Sequence, residues 1–274
     1  MRYRKILFCI IACLGFAMHA NAETPIDITV NGTYIQVDSA PVIEQDRTLV
    51  PLRAVSDALV FDDVQWDNSA KRVTISGHGT EIQLKIGDKT AVVNGVSQKM
   101  DVAPKIIQNR TYVPIRFISE NMGAEVDWNH KLYTVEIEKK GVTVPAQAVN
   151  WDYTRDDLDW LAKIVHAEAQ GESQQGKVAV ANVILNRTES QDFPDTIYGV
   201  IFDRKYGVQF TPTANGAIYN NPAQESYRAA KQALYGKSEA GESLYFYNPR
   251  IAASSWIANN RTFYKRIGNH DFYL

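Results

Sequence analysis

Cysteine is nearly absent from the sequence, since the 274 residues include only Cys9 and Cys13. Both lie in an N-terminal segment with a basic start, an apolar stretch from Ile6 to Ala17 and an Ala-Asn-Ala cleavage site that ends at Ala22. These features are typical of a secretory signal peptide. We therefore predict that residues 1–22 are a signal peptide and that its removal leaves an exported chain without a thiol. Such a chain excludes cysteine nucleophiles, thiolate zinc sites and disulfides.

Long apolar runs and blocks of basic residues are also missing. Beyond the signal peptide no run of about 18 apolar residues occurs, so we expect no membrane-spanning helix after cleavage. The alternative, a lipoprotein with Cys13 as its lipid acceptor, would leave a very short apolar stretch before the cleavage site. The formal net charge is −2 and no basic block occurs, so nucleic acid is not an expected partner. The five histidines are scattered, so we expect no metal and no other cofactor.

The first half of the sequence contains an internal repeat. The stretch from Ala40 to Arg53 (APVIEQDRTLVPLR) returns 63 residues later, from Ala103 to Arg116 (APKIIQNRTYVPIR). Trp66, followed by Asp, returns as Trp128, followed by Asn. Each copy predicts a strand, an Asn-Gly turn, an extended stretch, a short helix after a proline and a closing strand. The repeat therefore predicts one α+β unit used twice.

The doubled R-T-x-V-P-x-R motif with its downstream tryptophan resembles the copper-amine-oxidase N-terminal-like module, a stalk-type repeat domain of exported bacterial proteins. The resemblance covers residues 26–138. The family name implies copper, but His78 and His130 occupy different places in the two copies and lack metal-ligand spacing. The alternative role is contact with a wall polymer. Four side chains of the motif are expected to stabilise each copy: Arg47, Arg110, Trp66 and Trp128.

The composition changes across residues 139–150, which we interpret as a linker because they contain Gly and Pro and no hydrophobic periodicity. Residues 23–140 contain 7 aromatic residues, whereas residues 141–274 contain 19. Sugar rings stack on aromatic faces, so the second half suits a carbohydrate substrate, although an aromatic core would give the same count. We therefore predict a second domain at residues 151–274.

A carboxylate lies on the apolar face of the first helix of this second domain. The helix is predicted for residues 154–170, with a threonine N-cap and acidic residues in its first turn. Leu158, Leu161 and Val165 share one stripe, and Glu168 continues it. Burial near a helix end raises a carboxyl pKa, which keeps a general acid protonated. The pattern alone leaves two alternatives, a solvated Glu168 and a structural salt bridge.

Two other polar residues lie close to this helix in the sequence. Glu172 follows Glu168 by one turn, and two such carboxyl groups stand about 5–6 Å apart on one wall. They could not flank a glycosidic bond, so we expect Glu172 to support or cap the site. The next helix, residues 176–186, is apolar nearly all round and predicts a core helix. Its Asn182 either hydrogen-bonds internally or faces the cleft, as a second supporting residue.

Six separated motifs occur in order between Leu158 and Tyr273: [IV]-x-A-E-A-x-G-E, G-x-V-A-V-A-N-V-I-L-N-R, F-P-x-T-I-x-G-V-I, Q-F-T-P, Y-F-Y-N-P and I-G-x-H-x-F-Y. Together they resemble the SleB-type cell-wall hydrolase family, which includes spore cortex-lytic enzymes. The resemblance implies a mainly α, lysozyme-like (transglycosylase-like) domain that acts on peptidoglycan glycan strands. It also implies that Glu168 is the catalytic acid. With the signal peptide, it predicts a secreted enzyme of the cell wall or spore envelope.

The expected reaction is that of a lytic transglycosylase. Protonated Glu168 would protonate the glycosidic oxygen between N-acetylmuramic acid and N-acetylglucosamine, and then take the proton of the C6 hydroxyl that attacks C1. Three alternatives stay open. A muramidase would use water and a second carboxylate, Glu172 or Asp271. A zinc-dependent N-acetylmuramoyl-L-alanine amidase would need ligands such as His166 and His270. A non-catalytic wall-binding protein would need neither a second carboxylate nor metal ligands.

Further residues in the loop and strand motifs are candidates for positioning the substrate. The alternative for the aromatic residues is core packing, and the alternative for the histidine is a structural role. The candidates are Gln209, Phe210, Tyr245, Tyr247, Asn248 and His270.

Overall fold

A computed structural model describes residues 24–150, 152–252 and 254–274. The predicted signal peptide lies outside these residues. Among the helices that the structure describes, none combines the length and the apolar character needed to cross a membrane. The chain forms two domains, a β-rich N-terminal module and a mainly helical C-terminal domain, which confirms the predicted fold classes.

The N-terminal module consists of two copies of the predicted unit with one additional strand between them. The first copy contains β1 (Asp27–Val30), β2 (Thr33–Tyr34), β3 (Val42–Glu44), β4 (Arg47–Pro51), α1 (Leu52–Ala58), β5 (Asp63–Asp67) and β6 (Arg72–Gly77). The additional strand is β7 (Thr80–Lys85). The second copy contains β8 (Thr90–Val93), β9 (Val96–Lys99), β10 (Lys105–Ile107), β11 (Arg110–Pro114), α2 (Ile115–Asn121), β12 (Glu125–Asn129) and β13 (Thr134–Glu138).

The two copies meet in a sheet with the order β10-β11-β4-β3. Residues 49–51 of β4 pair antiparallel with residues 112–114 of β11, and these segments are repeat equivalents, so a pseudo-two-fold axis passes between Val50 and Val113. The remaining strands form two sheets, β12-β13-β1-β2 and β5-β6-β7-β8-β9. In the first of these, β1 pairs in parallel with β13, so strands from both copies share one sheet. The repeat therefore folds as one interlocked module.

The motif arginines link the two copies. Arg47 pairs with Asp101 at 2.6 Å, and the equivalent Arg110 pairs with Asp38 at 2.7 Å, so each copy supplies the partner of the other. All four side chains are largely exposed, so each pair contributes little to stability. Trp128 packs against the core of the module, but its equivalent Trp66 is 42 % exposed. The two equivalent tryptophans therefore differ in how far they are covered.

The C-terminal domain is built around three helices whose apolar faces form one core. The central helix, α3, is capped by Thr154, whose hydroxyl accepts from the backbone of Asp157 while the Asp157 carboxylate accepts in return. This capping box explains where the helix begins. The core helices are α3 (Arg155–Ala169), α4 (Gln174–Glu189) and, later in the chain, α7 (Gln224–Leu234).

Shorter elements complete this domain around the ends of α3 and α4. They are α5 (Ile197–Phe202), α6 (Pro212–Asn215), β14 (Tyr245–Tyr247), α8 (Trp256–Asn260), β15 (Phe263–Ile267) and β16 (His270–Tyr273). The three strands form a small antiparallel sheet with the order β14-β16-β15. Consequently the last residues of the chain pack beside the aromatic run of β14.

A buried polar cluster joins the two domains. Lys231 of α7 is fully buried, and its Nζ lies 2.7 Å from Oδ2 of Asp27 in β1 and donates to two carbonyl oxygens of the β12–β13 turn. The hydroxyls of Tyr153 and Tyr235 donate to the other Asp27 oxygen at 2.7 and 2.6 Å. Removing one partner of a buried ion pair leaves an uncompensated charge, so this contact resists separation of the domains.

Candidate active site

Glu168 occupies the last turn of α3, on the face that packs into the domain core. Leu161, Ile164 and Val165 of the same face are fully buried, and the side chain of Glu168 is partly buried beside them. Burial raises the pKa of the Glu168 carboxyl to about 7. Within the described residues its oxygens have no hydrogen-bond donor and no ion-pair partner that would favour the charged form. The group can therefore hold a proton near neutral pH and release it to a ligand.

Glu172, one turn later in the chain, has the opposite surroundings at the corner between α3 and α4. Its side chain is 8 % exposed, and its two oxygens accept from the backbone N–H and the side-chain amide of Asn269 at 3.2 and 2.9 Å. Burial acts to raise the pKa of Glu172, but the hydrogen bonds from Asn269 outweigh it and the pKa is lowered. Glu172 is therefore a charged acceptor that holds the turn between β15 and β16.

The turn that Glu172 holds requires a glycine. Gly268 has a φ of +57°, and a Cβ built on it would lie 2.0 Å from Oε2 of Glu172. A side chain at this position would displace the carboxylate. The close approach lets the backbone N–H of Asn269 reach Glu172, so the I-G-x-H motif is explained by packing at this corner.

His270 follows this turn and is buried beside Glu172. Its Nδ1 lies 3.9 Å from Oε1 of Glu172 and makes no hydrogen bond to any residue that the structure describes. Burial lowers the pKa of His270, so the imidazole is neutral at pH 7. The ring of Phe246 lies edge-on to it at a centroid distance of 5.3 Å, and Phe210 lies 6.3 Å from Phe246.

This chain of rings revises two of the predicted positioning residues. Phe210 is only 4 % exposed and belongs to the core of the domain, so its ring is not a free surface for a sugar. His270 is also buried, and its nearest charged neighbour is Glu172, so its ring is not exposed to a substrate. The sequence analysis did not single out Phe246, the ring between His270 and Phe210, because the hydroxyls of the neighbouring Tyr245 and Tyr247 suggested contact with a substrate instead. Alternation along β14 is the signal that could have found it, since residues 245 and 247 share one face and residue 246 faces the other.

The remaining predicted positioning residues are half-buried and lie on β14 and the loops beside it. The hydroxyl of Tyr245 accepts from Arg261 at 2.8 Å, and the ring of Tyr247 packs on Tyr273 at 5.7 Å. Asn248 accepts from the backbone of residue 250 and so shapes the loop after β14. Gln209 precedes the core residue Phe210 and is half-buried.

A buried arginine that the sequence did not single out supports this strand. Arg187, at the end of α4, donates from Nε to the carbonyl oxygen of Leu244 at 2.7 Å. Its guanidinium packs over the rings of Phe193, Phe210 and Tyr245. It therefore fixes the start of β14.

Asn182 satisfies its hydrogen bonds internally. Its amide donates to the carbonyl oxygen of Lys237 at 2.8 Å and its oxygen accepts from the backbone N–H of Glu239 at 2.7 Å. It thus holds the loop between α7 and β14. Of the two possibilities left open by the sequence, the structure favours internal hydrogen bonding over a position facing the cleft.

The groups required by the alternative chemistries are engaged elsewhere. Asp271 pairs with Arg266 through both oxygens, and Glu172 accepts from Asn269. His166 lies beside Ser226 at the start of α7, whereas His270 lies beside Glu172. Within the described residues no three His, Cys, Asp or Glu side chains form a group that could hold a metal ion.

Two family models match the chain, one in each domain. A model described as copper amine oxidase N-terminal domain matches residues 29–137, and a model described as cell wall hydrolase matches residues 171–273. The second match begins three residues after Glu168.

The chain is also similar to curated relatives and to a solved structure. A spore cortex-lytic enzyme of Halalkalibacterium halodurans is 42 % identical over 134 residues, which cover 49 % of this chain and 38 % of the relative. The cell wall hydrolase CwlJ of the same organism is 32 % identical over 102 residues, which cover 35 % of this chain and 70 % of the relative. The catalytic domain of the germination-specific lytic transglycosylase SleB from Bacillus anthracis is 40 % identical over 46 % of this chain and 100 % of that domain, with a TM-score of 0.42. This chain thus spans about two fifths of the spore cortex-lytic enzyme.

Proposed function

The chain belongs to the cell wall hydrolase family, and from this premise we propose that its C-terminal domain cleaves the glycan strands of peptidoglycan between N-acetylmuramic acid and N-acetylglucosamine. We propose further that it does so as a lytic transglycosylase, which leaves 1,6-anhydromuramic ends. The observation that carries the proposal is the carboxyl of Glu168, partly buried, without a partner among the described residues and with its pKa raised to about 7.

In the proposed reaction Glu168 acts twice. The protonated carboxyl donates to the glycosidic oxygen as the bond to muramic C1 breaks, and positive charge develops at C1 and the ring oxygen. The resulting carboxylate then accepts the proton of the C6 hydroxyl, whose oxygen attacks C1. The proton returns to Glu168 and no water is consumed, so a single carboxyl group completes the cycle.

The surroundings of the neighbouring carboxylates support this route over one that uses water. A water-using muramidase needs a second carboxylate as base or nucleophile on the other side of the scissile bond. Glu172 and Asp271 are the candidates. The oxygens of Glu172 already accept from Asn269, and those of Asp271 already accept from Arg266. The Glu168 carboxyl, in contrast, accepts no hydrogen bond and forms no ion pair with a described residue, so it is available to a ligand.

The proposed substrate also fits the predicted place of action. The predicted signal peptide would export the chain, and the relatives include spore cortex-lytic and cell wall hydrolases. We propose that the protein acts in the cell wall or the spore envelope.

The experiment is to incubate the protein with purified peptidoglycan and weigh the released fragments by mass spectrometry. We expect anhydromuramic ends, which are lighter by one water than hydrolysed ends, and we expect Glu168→Gln to release almost none. Hydrated reducing ends that depend on Glu168 would replace the transglycosylase by a muramidase. Near-full release by Glu168→Gln would contradict the role of this residue. Full activity in a metal chelator is also expected, and its loss would favour the amidase.

A further inference from the structure

The two copies of the N-terminal repeat use their equivalent tryptophans differently. The ring of Trp128 lies edge-on to His130 and Tyr133, with centroid distances of 6.1 Å, and its indole N–H donates to the Nδ1 of His130. The segment that covers it also docks on the catalytic domain, because the carbonyl oxygen of His130 accepts from Gln224 of α7. The tryptophan of the second copy is therefore covered by its own copy, beside the domain interface.

Trp66 in the first copy has no such cover. The positions equivalent to His130 and Tyr133 are Asn68 and Lys71, and these two side chains bond to each other at 2.9 Å. Within the described residues the ring of Trp66 packs on no other aromatic ring and its indole N–H has no acceptor. Trp66 and Val64 are 42 % and 40 % exposed, and they point to the same side of β5, which is an edge strand.

A groove of about 630 Å³ lies in front of this face, a volume within the usual range for ligand sites. One wall is Val64 and Trp66 of β5, a second is α1, and the third is the turn between β10 and β11, which the other copy supplies. The groove therefore exists only because the two copies interlock.

Two charged side chains of the groove are available to a ligand, whereas Arg110 and Asp38 in its lining already pair with each other. Arg53 and Asp57 of α1 line it, and their side chains have no hydrogen bond or ion pair with any described residue. In the second copy the equivalent Arg116 and Glu120 pair with each other at 3.7 Å. The first copy thus presents an unpaired donor and an unpaired acceptor beside an exposed indole ring.

We propose that this groove is a second binding site for the glycan strand of peptidoglycan. Sugar hydroxyls and acetamido groups both donate and accept hydrogen bonds, which suits Arg53 and Asp57, and a pyranose face can stack on Trp66. The lining includes four aspartates and two arginines, and this negative balance opposes anionic wall polymers. The choice of glycan rests on the proposed function of the C-terminal domain.

The site would act on a module that contacts the catalytic domain. The buried contact of Lys231 with Asp27 joins the module to α7, so the groove and Glu168 lie on two domains held together by a buried ion pair. Binding at the groove would hold an insoluble substrate near the catalytic domain and raise the effective concentration of neighbouring glycan.

The test measures binding of the full chain to insoluble peptidoglycan by co-sedimentation on ice, and released sugar is assayed in a parallel tube that is warmed so that cleavage can proceed. Truncating an exposed tryptophan anchor weakens binding about tenfold or more, so we expect this loss in Trp66→Ala. Arg53→Ala, an exposed change that cannot disturb the core, is a second variant and should weaken binding in the same direction. Ile43→Ala is the matched control, because Ile43 is 50 % exposed on β3 but lies outside the groove.

Competition identifies the occupant of the groove. Glycan strands freed of their peptides should displace the full chain from peptidoglycan, whereas free stem peptide and teichoic acid should not. Displacement by stem peptide or teichoic acid alone would overturn the glycan assignment. Unchanged binding in both Trp66→Ala and Arg53→Ala would overturn the site itself. If sugar is released but binding does not depend on Trp66, the groove is not a binding site and the proposed function stands. If binding depends on Trp66 but no sugar is released, the binding site stands and the proposed function is rejected.

Discussion

The last turn of α3 and the corner that follows it each hold one glutamate, and the two carboxyl groups have opposite surroundings. Glu168 is partly buried without a hydrogen-bond donor among the described residues, and its pKa is raised to about 7. Glu172 is nearly fully buried, but Asn269 donates two hydrogen bonds to it and its pKa is lowered. Burial alone favours the neutral acid, whereas burial with donors favours the anion. One glutamate is thus suited to transfer a proton and the other to hold a turn.

The largest expected effect separates the two glutamates by activity. General acid–base catalysis contributes about 10²- to 10⁴-fold in rate, so Glu168→Gln should lower peptidoglycan cleavage by that factor while the protein stays folded. Glu172→Gln should lower the melting temperature and reduce activity by much less. Turnover and melting temperature measured on both variants check this. An equal loss of activity in the two variants, at unchanged stability, would mean that the corner takes part in the chemistry.

A substitution at Gly268 should disrupt the contact between Glu172 and the β15–β16 turn. An alanine there adds a Cβ 2.0 Å from the Glu172 carboxylate and also places a side chain at a φ of +57°. Gly236→Ala is the matched control in the same domain, since Gly236 has a φ of +84° with open space around it. The control should cost about 1 kcal/mol of unfolding free energy from backbone strain alone. Gly268→Ala should cost about 2–4 kcal/mol, the range of a steric clash in a packed site. Equal losses in urea unfolding would mean that Glu172 moves aside freely.

A pH profile sharpens the comparison, because the general acid must be protonated. With the pKa of Glu168 near 7, kcat/KM should fall about tenfold per pH unit above neutrality, or about 100-fold at pH 9. A soluble glycan substrate, with the melting temperature recorded at each pH, separates this effect from unfolding. If kcat/KM instead declines around pH 4.5, the pKa of Glu168 is not raised in the folded protein, which would contradict the prediction.

Sequence alone could predict α3 and the stripe that carries Glu168, because the determinants are local. The capping box of Thr154 and Asp157 and the apolar spacing lie within 15 residues. The partner of Glu172 could not be predicted in this way, because Asn269 lies 97 residues away and only the folded β15–β16 turn brings it close. For the same reason the pairing of Tyr245 with Tyr273 is a property of the sheet.

The repeat shows the same division between local and distant information. Its spacing predicted two equivalent units, and the two-fold pairing of β4 with β11 follows from that equivalence. The different surroundings of the two tryptophans depend on His130 and Tyr133, which are replaced by Asn68 and Lys71. The two replacements are visible in the sequence, but only the structure shows that His130 and Tyr133 cover the ring of Trp128 and that Asn68 and Lys71 leave the ring of Trp66 exposed.

The smallest expected effect concerns stability, and its sign differs between the two glutamates. The folded protein keeps the proton of Glu168 up to about pH 7, whereas the unfolded chain releases it near pH 4.5. The folded state therefore binds more protons in this window, and stability falls as the pH rises through it, by at most about 3 kcal/mol. Glu172 has a lowered pKa, so the stability it contributes is present above the unfolded pKa and is lost as the pH falls.

Glu168→Gln should therefore unfold at a higher urea concentration than the parent at pH 8 and at nearly the same concentration at pH 4.5. Glu172→Gln should be less stable than the parent at pH 8 and approach it in acid. Urea unfolding at the two pH values checks both variants. A Glu168→Gln variant that is no more stable at pH 8 would mean that the carboxylate finds compensation in the folded protein. If Glu168→Gln is more stable than the parent at pH 8 and also inactive, then the unpaired carboxyl of Glu168 lowers the stability of the folded protein while it is required for activity. Such an opposition between stability and function is common at active sites.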